Sequence, residues 1–421
     1  MLGKIILQRY TNLKAERDYP QVTVTYKAEA AILRGHPWVY DEEITAREGE
    51  LTNGCLTDVL SHKGRYLGTG FLSEHSKIRV RLLSRNANDR FDAPFWERRL
   101  RYAWEYRKTV LSPADLDCCR VVFGEADGFP GLTVDRFHEL LVVQVLSYGM
   151  EQIKDTLLPT LVRLLREDGQ EISGVYERND VALREKEGLT QYKAWFPLAG
   201  EAAPASTVTE ITENGVRYAV DVENGQKTGF FLDQKYNRQA VARLARGKTV
   251  LDCFTHTGSF ALNAALGGAK HVTAVDVSEA AVDMARENAR RNGLEAVMDF
   301  RAADVFDLLP ELEKQPQVYD FIILDPPAFT KSRKTVQSAM RGYKEINYRA
   351  MKLLPRGGYL ATCSCSHFAK EELFIDMLHA AARDAGVQLR QIEARQQSPD
   401  HPILWGVEET NYLKFYLFQI I

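Results

Sequence analysis

With 421 residues, the chain is longer than one hydrophobic core supports, so two or three domains are expected. Apolar residues make up 45% and charged residues 26%, which excludes a disordered chain, and no run reaches the roughly 18 apolar residues of a membrane span. A net charge of -3 excludes a uniformly basic nucleic-acid binder and leaves local charge to decide.

The first residues, MLGKIILQRYTNLK, hold an apolar run too short for a signal peptide, so a cytoplasmic protein is expected. Residues 20–85 carry short strand-like runs, VTVTY, CLTDVLS, YLGTGFL and KIRVRLL, broken by Gly, Asn, His and Lys; a small all-β domain over 20–98 follows. Residues 95–112 read as a helix with Trp96, Leu100, Ala103 and Trp104 on one face. Between Lys77 and Lys108, ten basic residues face four acidic ones, with Phe91, Phe95, Trp96, Tyr102, Trp104 and Tyr106 among them. Cations and flat rings suit phosphates and unstacked bases, so this segment is a candidate RNA surface. A solvated helix face backed by core aromatics has the same composition.

Residues 99–200 mix strands (LTVDRF, LLVVQVL, ISGVYER) with the amphipathic helix MEQIKDTLLPTLVRLLRE, giving an α+β middle domain. LAGEAAPAST, 198–207, lacks periodicity and is the linker candidate. A hairpin at Asn214-Gly215 opens the third domain, 206–421. There the apolar runs KTVLDCF, HVTAVDV, YDFIILDPP and GGYLATCS alternate with helices at 259–266, 279–292, 336–354 and 370–385. Ser278 and Gly293 are placed to cap the second of these. Such alternation predicts an α/β fold with a doubly wound parallel sheet, to which YLKFYLF, 412–418, adds a late edge strand.

Ligands of such sheets bind beyond the carboxyl ends of the strands, and acidic residues fall there: Asp252, Asp276, Asp304 and Asp325. No GxGxxG is present, so a dinucleotide pyrophosphate is not expected. S-adenosylmethionine (SAM) has no phosphate. One glycine, Gly258, gives its methionine end room, and Asp252 offers a carboxylate for its ammonium group. Asp276 suits the ribose hydroxyls and Asp304 the adenine amine; Phe254 and Val277, beside these acids, complete the cofactor contacts. GQKTGFFLDQ, 225–234, reads as a lid, with Phe231 against the adenine and Lys227 or Gln234 as polar contacts.

Adjacent strands end in Asp325-Pro326-Pro327 and Ser364-Cys365-Ser366, which would set a carboxylate and a thiol beside the SAM methyl group. Carbon 5 of a pyrimidine is not nucleophilic until a thiolate adds to carbon 6. Cys365, nearer the strand end, is the candidate nucleophile, with Asp325 supporting the base; Cys363 reads as buried core. The remaining cysteines, Cys55, Cys118, Cys119 and Cys253, form no CxxC pair, so neither a metal site nor a disulfide framework is expected.

The segments GHPWVYDEEI, GEADGFPGLTVDRF, YERNDVALREKEGL, NGQKTGFFLDQ, VLDCFTHTGSFAL, LDPPAF, RGYKEINYRAMKLL, SCS and SPDHP resemble the bacterial 23S rRNA (cytosine-5) methyltransferases with an N-terminal PUA domain. That resemblance spans nearly the whole chain. It implies a PUA-like RNA-binding domain, a Rossmann-like class I methyltransferase domain, SAM as methyl donor, 23S rRNA as partner and a homodimer. It also implies Cys365 as catalytic cysteine and Asp325 as its acidic partner. His367 stands where the family commonly has Gly, and residues 1–19 exceed its usual start. The rivals are a methyltransferase acting on a purine amine or ring nitrogen, and a SAM-binding RNA assembly factor without turnover.

Overall fold

The computed structural model describes residues 18–315, 319–330 and 332–421. The expectation for the N-terminal apolar run lies outside them.

The first sheet has six strands, β1 (Gln21–Val24), β2 (Trp38–Tyr40), β3 (Ile44–Glu48), β4 (Leu56–Ser61), β5 (Tyr66–Leu72) and β6 (Ile78–Ser84), in the order β2-β6-β5-β4-β1-β3. Helix α1 (Tyr26–Leu33) follows β1, its N-terminus capped by Thr25. Val22, Val24, Val39, Val59 and Val80 fill a small core of their own. Helix α2 (Ala93–Val110) leads away from this sheet, capped by Asp92. A division at residue 98 passes through α2, whose buried face of Phe95, Trp96, Leu100 and Trp104 shares a core with the second sheet.

That sheet joins β7 (Cys118–Phe123), β8 (Leu132–Phe137), β9 (Leu140–Val145), β10 (Gly174–Asn179) and β11 (Tyr192–Trp195), in the order β11-β10-β9-β8-β7. Helix α3 (Tyr148–Glu167) packs on the same face as α2. The other face meets the third domain directly: Phe137, Val142 and Tyr176 belong to one core with Val216, Tyr218, Phe260 and Phe415. Buried polar ties reinforce the junction. Arg120 holds Asp135 at 2.7 and 2.8 Å, Thr228 donates to the same carboxylate, and Lys235 donates to the Cys118 carbonyl.

The candidate RNA segment divides between interior and surface. Phe95, Trp96 and Trp104 are buried, while Tyr102 and Tyr106 are exposed. Arg79, Arg81, Arg98, Arg101, Arg107 and Lys108 pair with carboxylates, and Arg99 binds the carbonyls of Leu83 and Gly128. For Phe95, Trp96 and Trp104 that expectation is therefore corrected: helical spacing placed those rings in a core between helix and sheet, while Tyr102 and Tyr106 stay at the surface.

The hairpin β12 (Val208–Glu213) and β13 (Val216–Asp221) turns at Asn214 and Gly215, with φ of 56° and 81° as the expected tight turn requires. Helix α4 (Lys235–Leu244) then enters the last domain. Its strands are β14 (Thr249–Cys253), β15 (His271–Asp276), β16 (Met298–Ala302), β17 (Phe321–Leu324), β18 (Tyr359–Ser364), β19 (Leu389–Arg395) and β20 (Lys414–Ile420), in the order β16-β15-β14-β17-β18-β20-β19. The helices are α5 (Ser259–Leu266), α6 (Glu279–Arg291), α7 (Val305–Leu312), α8 (Val336–Leu353) and α9 (Glu371–Ala385). β14 to β18 are parallel, and the direction of winding reverses between β14 and β17. Ser278 caps α6 through the Ala281 amide, and Gly293 follows it at φ 65°. The expected late edge strand is interior: β20 runs antiparallel between β18 and β19, and β19 is the edge. Lys414 to Phe418 are all buried, which suits a central position.

Candidate functional site

The reversal between β14 and β17 places their carboxyl ends at the crevice where doubly wound sheets bind ligands. Beyond β14 the chain turns sharply through Phe254, His256 and Gly258, all at positive φ (65°, 50° and 83°), into α5. A Cβ on Gly258 would lie 2.9 Å from that of Ala285, so the turn packs against α6 only with glycine there.

Asp252 is fully buried under this turn. Its Oδ2 accepts from the Thr255 hydroxyl (2.6 Å) and the Ala261 amide (2.9 Å), while Oδ1 has no partner among the described residues. Burial pushes its carboxyl up to about 7, with the charges of Asp325 and Asp276 adding to the shift. Asp276, half-buried at the end of β15, accepts from the backbone N–H groups of His256 (2.9 Å) and Ser278 (3.0 Å). Val277 next to it is 72% exposed. Asp304 is exposed past β16 and caps α7 through the Phe306 amide at 2.8 Å. Phe254 faces Phe329 at 6.4 Å.

The 225–234 segment lies over the same strand ends. The Phe231 ring meets His256 edge-on at 5.3 Å, with the Lys227 ammonium 4.5 Å from the ring centre. Gln234 is buried and donates to Asp325 at 3.0 Å. The two sequence-based options for this segment thus separate: Gln234 serves the Asp325 side and Lys227 the Phe231 side.

Asp325, directly after β17, is half-buried. Burial and then the charge of Asp233 push its carboxyl up to about 6, against the lowering hydrogen bond from Gln234. Cys363 is fully buried on β18. Cys365, one residue past β18, is half-buried. Burial and then the charge of Asp325 push its thiol up to about 11, while Lys227 and Lys414 pull it down. The two loops are braced together, because the Ser366 hydroxyl donates to the Thr330 carbonyl at 2.9 Å. The sulfur and acid expected to converge therefore occupy one charged cluster.

Sequence reasoning missed three members of that cluster, Asp233, Tyr412 and Lys414. Asp233 accepts from the Tyr412 hydroxyl at 2.7 Å and faces Lys227 at 4.0 Å. Burial opposes its ionisation, but Lys227, His401, Tyr412 and Arg120 together hold it down to about 2. Lys414 is the third, and a lone lysine in the apolar run LKFYLF was its available signal. His401 is buried on Asp400 at 3.0 Å, and Asp400 in turn accepts from the Arg120 amide. This ties the SPDHP loop to the middle domain. A cleft of about 940 Å³ lined by Asp117, His138, Arg166 and Thr209 lies elsewhere and contains none of the expected site residues.

These residues fit SAM. The partnerless buried oxygen of Asp252 matches an ammonium group, and Asp276 retains acceptor capacity at a strand end.

Comparison with known proteins agrees. Residues 189–419 match the S-adenosylmethionine-dependent methyltransferase family model, and residues 22–85 match a PUA-like domain. "Ribosomal RNA large subunit methyltransferase I" of Klebsiella pneumoniae (strain 342) is 38% identical over 404 residues, 96% of this chain and 99% of that one. The protein of that name from Cronobacter sakazakii is 39% identical over 387 residues, covering 92% and 96%. Among solved structures, a SAM-dependent methyltransferase from Streptococcus mutans superposes with a TM-score of 0.78 at 23% identity, covering 95% of this chain and 99% of that one. A methyltransferase complexed with SAH superposes equally well. At that identity the likeness is one of fold.

Proposed function

The chain belongs to the S-adenosylmethionine-dependent methyltransferase family, and from that premise we propose that it methylates carbon 5 of a cytosine in 23S ribosomal RNA through a covalent Cys365 adduct. The relatives named for the large ribosomal subunit support the RNA. The observation that carries the chemistry is the placement of Cys365 and Asp325 in one half-buried cluster.

When bound, SAM supplies an electrophilic methyl group. We assign its ammonium to Asp252, its ribose to Asp276, and its adenine to Phe231, Val277 and Asp304, with Phe254 and Gly258 shaping the turn beside it and Gln234 holding Asp325. The Cys365 thiolate adds to carbon 6 of the cytosine. Asp325, whose carboxyl keeps its proton up to about pH 6, donates to ring nitrogen 3 as negative charge develops there. Carbon 5 is then electron-rich and takes the methyl group. Loss of the carbon 5 proton to solvent, return of the nitrogen 3 proton to Asp325 and departure of the thiolate give 5-methylcytosine.

The rival chemistry on a purine amine needs no thiol and uses the aromatic residue after Asp-Pro-Pro to hold the base. Here Phe329 packs on Tyr343 at 4.6 Å and also meets Phe254 and Phe306, so its ring is engaged within the protein. The decisive test is Cys365→Ala. Methyl transfer to 23S rRNA should fall below detection while SAM still binds with unchanged affinity. A Cys365→Ala protein that still methylates the RNA ends the covalent mechanism. Nucleoside mass spectrometry of the product separates 5-methylcytosine from a methylated purine, and an intact wild-type protein that transfers nothing would leave the assembly-factor reading. The homodimer implied by the resemblance is tested by light scattering.

A further inference from the structure

Burying an ammonium group without a carboxylate partner is costly, so such a group needs a reason. Lys414 is 6% exposed at the start of β20, an interior strand of the last sheet. Among the described residues it forms no ion pair; its Nζ donates to the backbone carbonyls of Ser366 (2.6 Å) and Tyr412 (2.8 Å). Glu371, the acid whose charge reaches it, is already bonded to the Tyr416 hydroxyl at 2.6 Å.

The surroundings supply that reason. On β20, Lys414 sits opposite Ser364 of β18, and its ammonium reaches past to Ser366. It therefore touches the residues on either side of Cys365. We propose that Lys414 is a positioning residue for Cys365: it fixes the 364–366 backbone and provides the cation that stabilises the thiolate once it forms. This deepens the proposed function and rests on Cys365 being the nucleophile.

The other groups facing the thiol are Asp325 beyond β17, Asp233 and Lys227 from the segment before α4, protonated Cys363 on β18, and Tyr343 of α8, whose hydroxyl accepts from Ser364 and stays protonated well above neutrality. The acids oppose ionisation. Lys227 is half-exposed and committed to Asp233 and Phe231, so water screens it more than Lys414. Burial lowers the Lys414 ammonium to about 8. It is charged at pH 7 and loses its proton above pH 8, so its help to the thiolate is largest near neutrality and fades in base.

The test reads Cys365 alone, by iodoacetamide alkylation and peptide mass mapping of the full chain. Lys414→Met should slow alkylation of Cys365 at pH 7 by about tenfold, the effect of one unit in thiol pKa. The deficit should shrink at pH 9, where the wild-type lysine is neutral. Lys414→Arg keeps its charge and should restore the rate at both values. Thermal melting and SAM titration identify a variant that has simply failed to fold, and Lys414→Gln, which keeps a donor for the carbonyls without the charge, then carries the test. A folded Lys414→Met or Lys414→Gln protein alkylated at the wild-type rate at pH 7, or an Arg variant without recovery, overturns the proposal. Because alkylation needs no turnover, an active Cys365→Ala enzyme would instead overturn the proposed function.

Discussion

Asp252→Asn should make the protein more stable and a poorer SAM binder, with the gain in stability appearing only as pH rises. The carboxyl of Asp252 is raised to about 7 in the folded chain from its ordinary 3.8. A raised carboxyl gives stability that is complete below about 3.8 and lost as pH rises through 7. Three units at about 1.36 kcal/mol each set a ceiling of about 4 kcal/mol for the strain of the ionised form. Asparagine does not titrate, and its oxygen can keep the bonds from Thr255 and Ala261. Its buried amide N–H groups cost about 2 kcal/mol, leaving a net gain of about 2 kcal/mol above pH 7. At pH 5.5 the wild type recovers about 2 kcal/mol, from 1.5 units, and the gain disappears. Melting without SAM should therefore differ by several degrees at pH 8.5 and hardly at all at pH 5.5. Calorimetric titration with SAM should show affinity weakened by about 10- to 100-fold, the loss of one charge-assisted bond. A variant that melts lower at pH 8.5, or by the same margin at both pH values, would refute the reasoning.

Two further outcomes test the site. Because the reaction uses protonated Asp325 (about 6) and the Cys365 thiolate (about 11), kcat/KM for RNA should rise tenfold per unit up to about pH 6 and then stay level to pH 8; a rate still climbing tenfold per unit between pH 7 and 8 removes Asp325 as the acid. Gly258→Ala should cost about 1–3 kcal/mol in urea titrations and weaken SAM binding, because left-handed backbone and the Ala285 contact both oppose a methyl group. Gly293→Ala, at φ 65° in open space, should lose about 1 kcal/mol and bind SAM normally.

Local patterns in the chain already determined its local structure. Asn214-Gly215 dictated a tight turn, Ser278 and Gly293 bounded α6, and unbroken apolar runs marked the parallel strands with acids at their ends. These features depend on the dihedrals and burial of neighbouring residues, which short windows encode. The cysteine at the end of β18 and the acid at the end of β17 were legible for the same reason, since a parallel sheet brings successive strand ends together.

What only the tertiary structure decided involves residues far apart in the chain. An alternation of strand and helix does not say that β20 inserts between β18 and β19, because that pairing joins segments some fifty residues apart. Without it, Lys414 looks like a surface lysine on an edge. Nor does composition say which side of α2 its aromatic rings face; the second sheet needed a cover, and burial of those rings supplied it. Gln234 reaches Asp325 across 91 positions, and Asp400 reaches Arg120 across 280. Such bonds form only where packing removes water and leaves a polar group one available partner, so they follow from the closed fold and not from the order of residues along it.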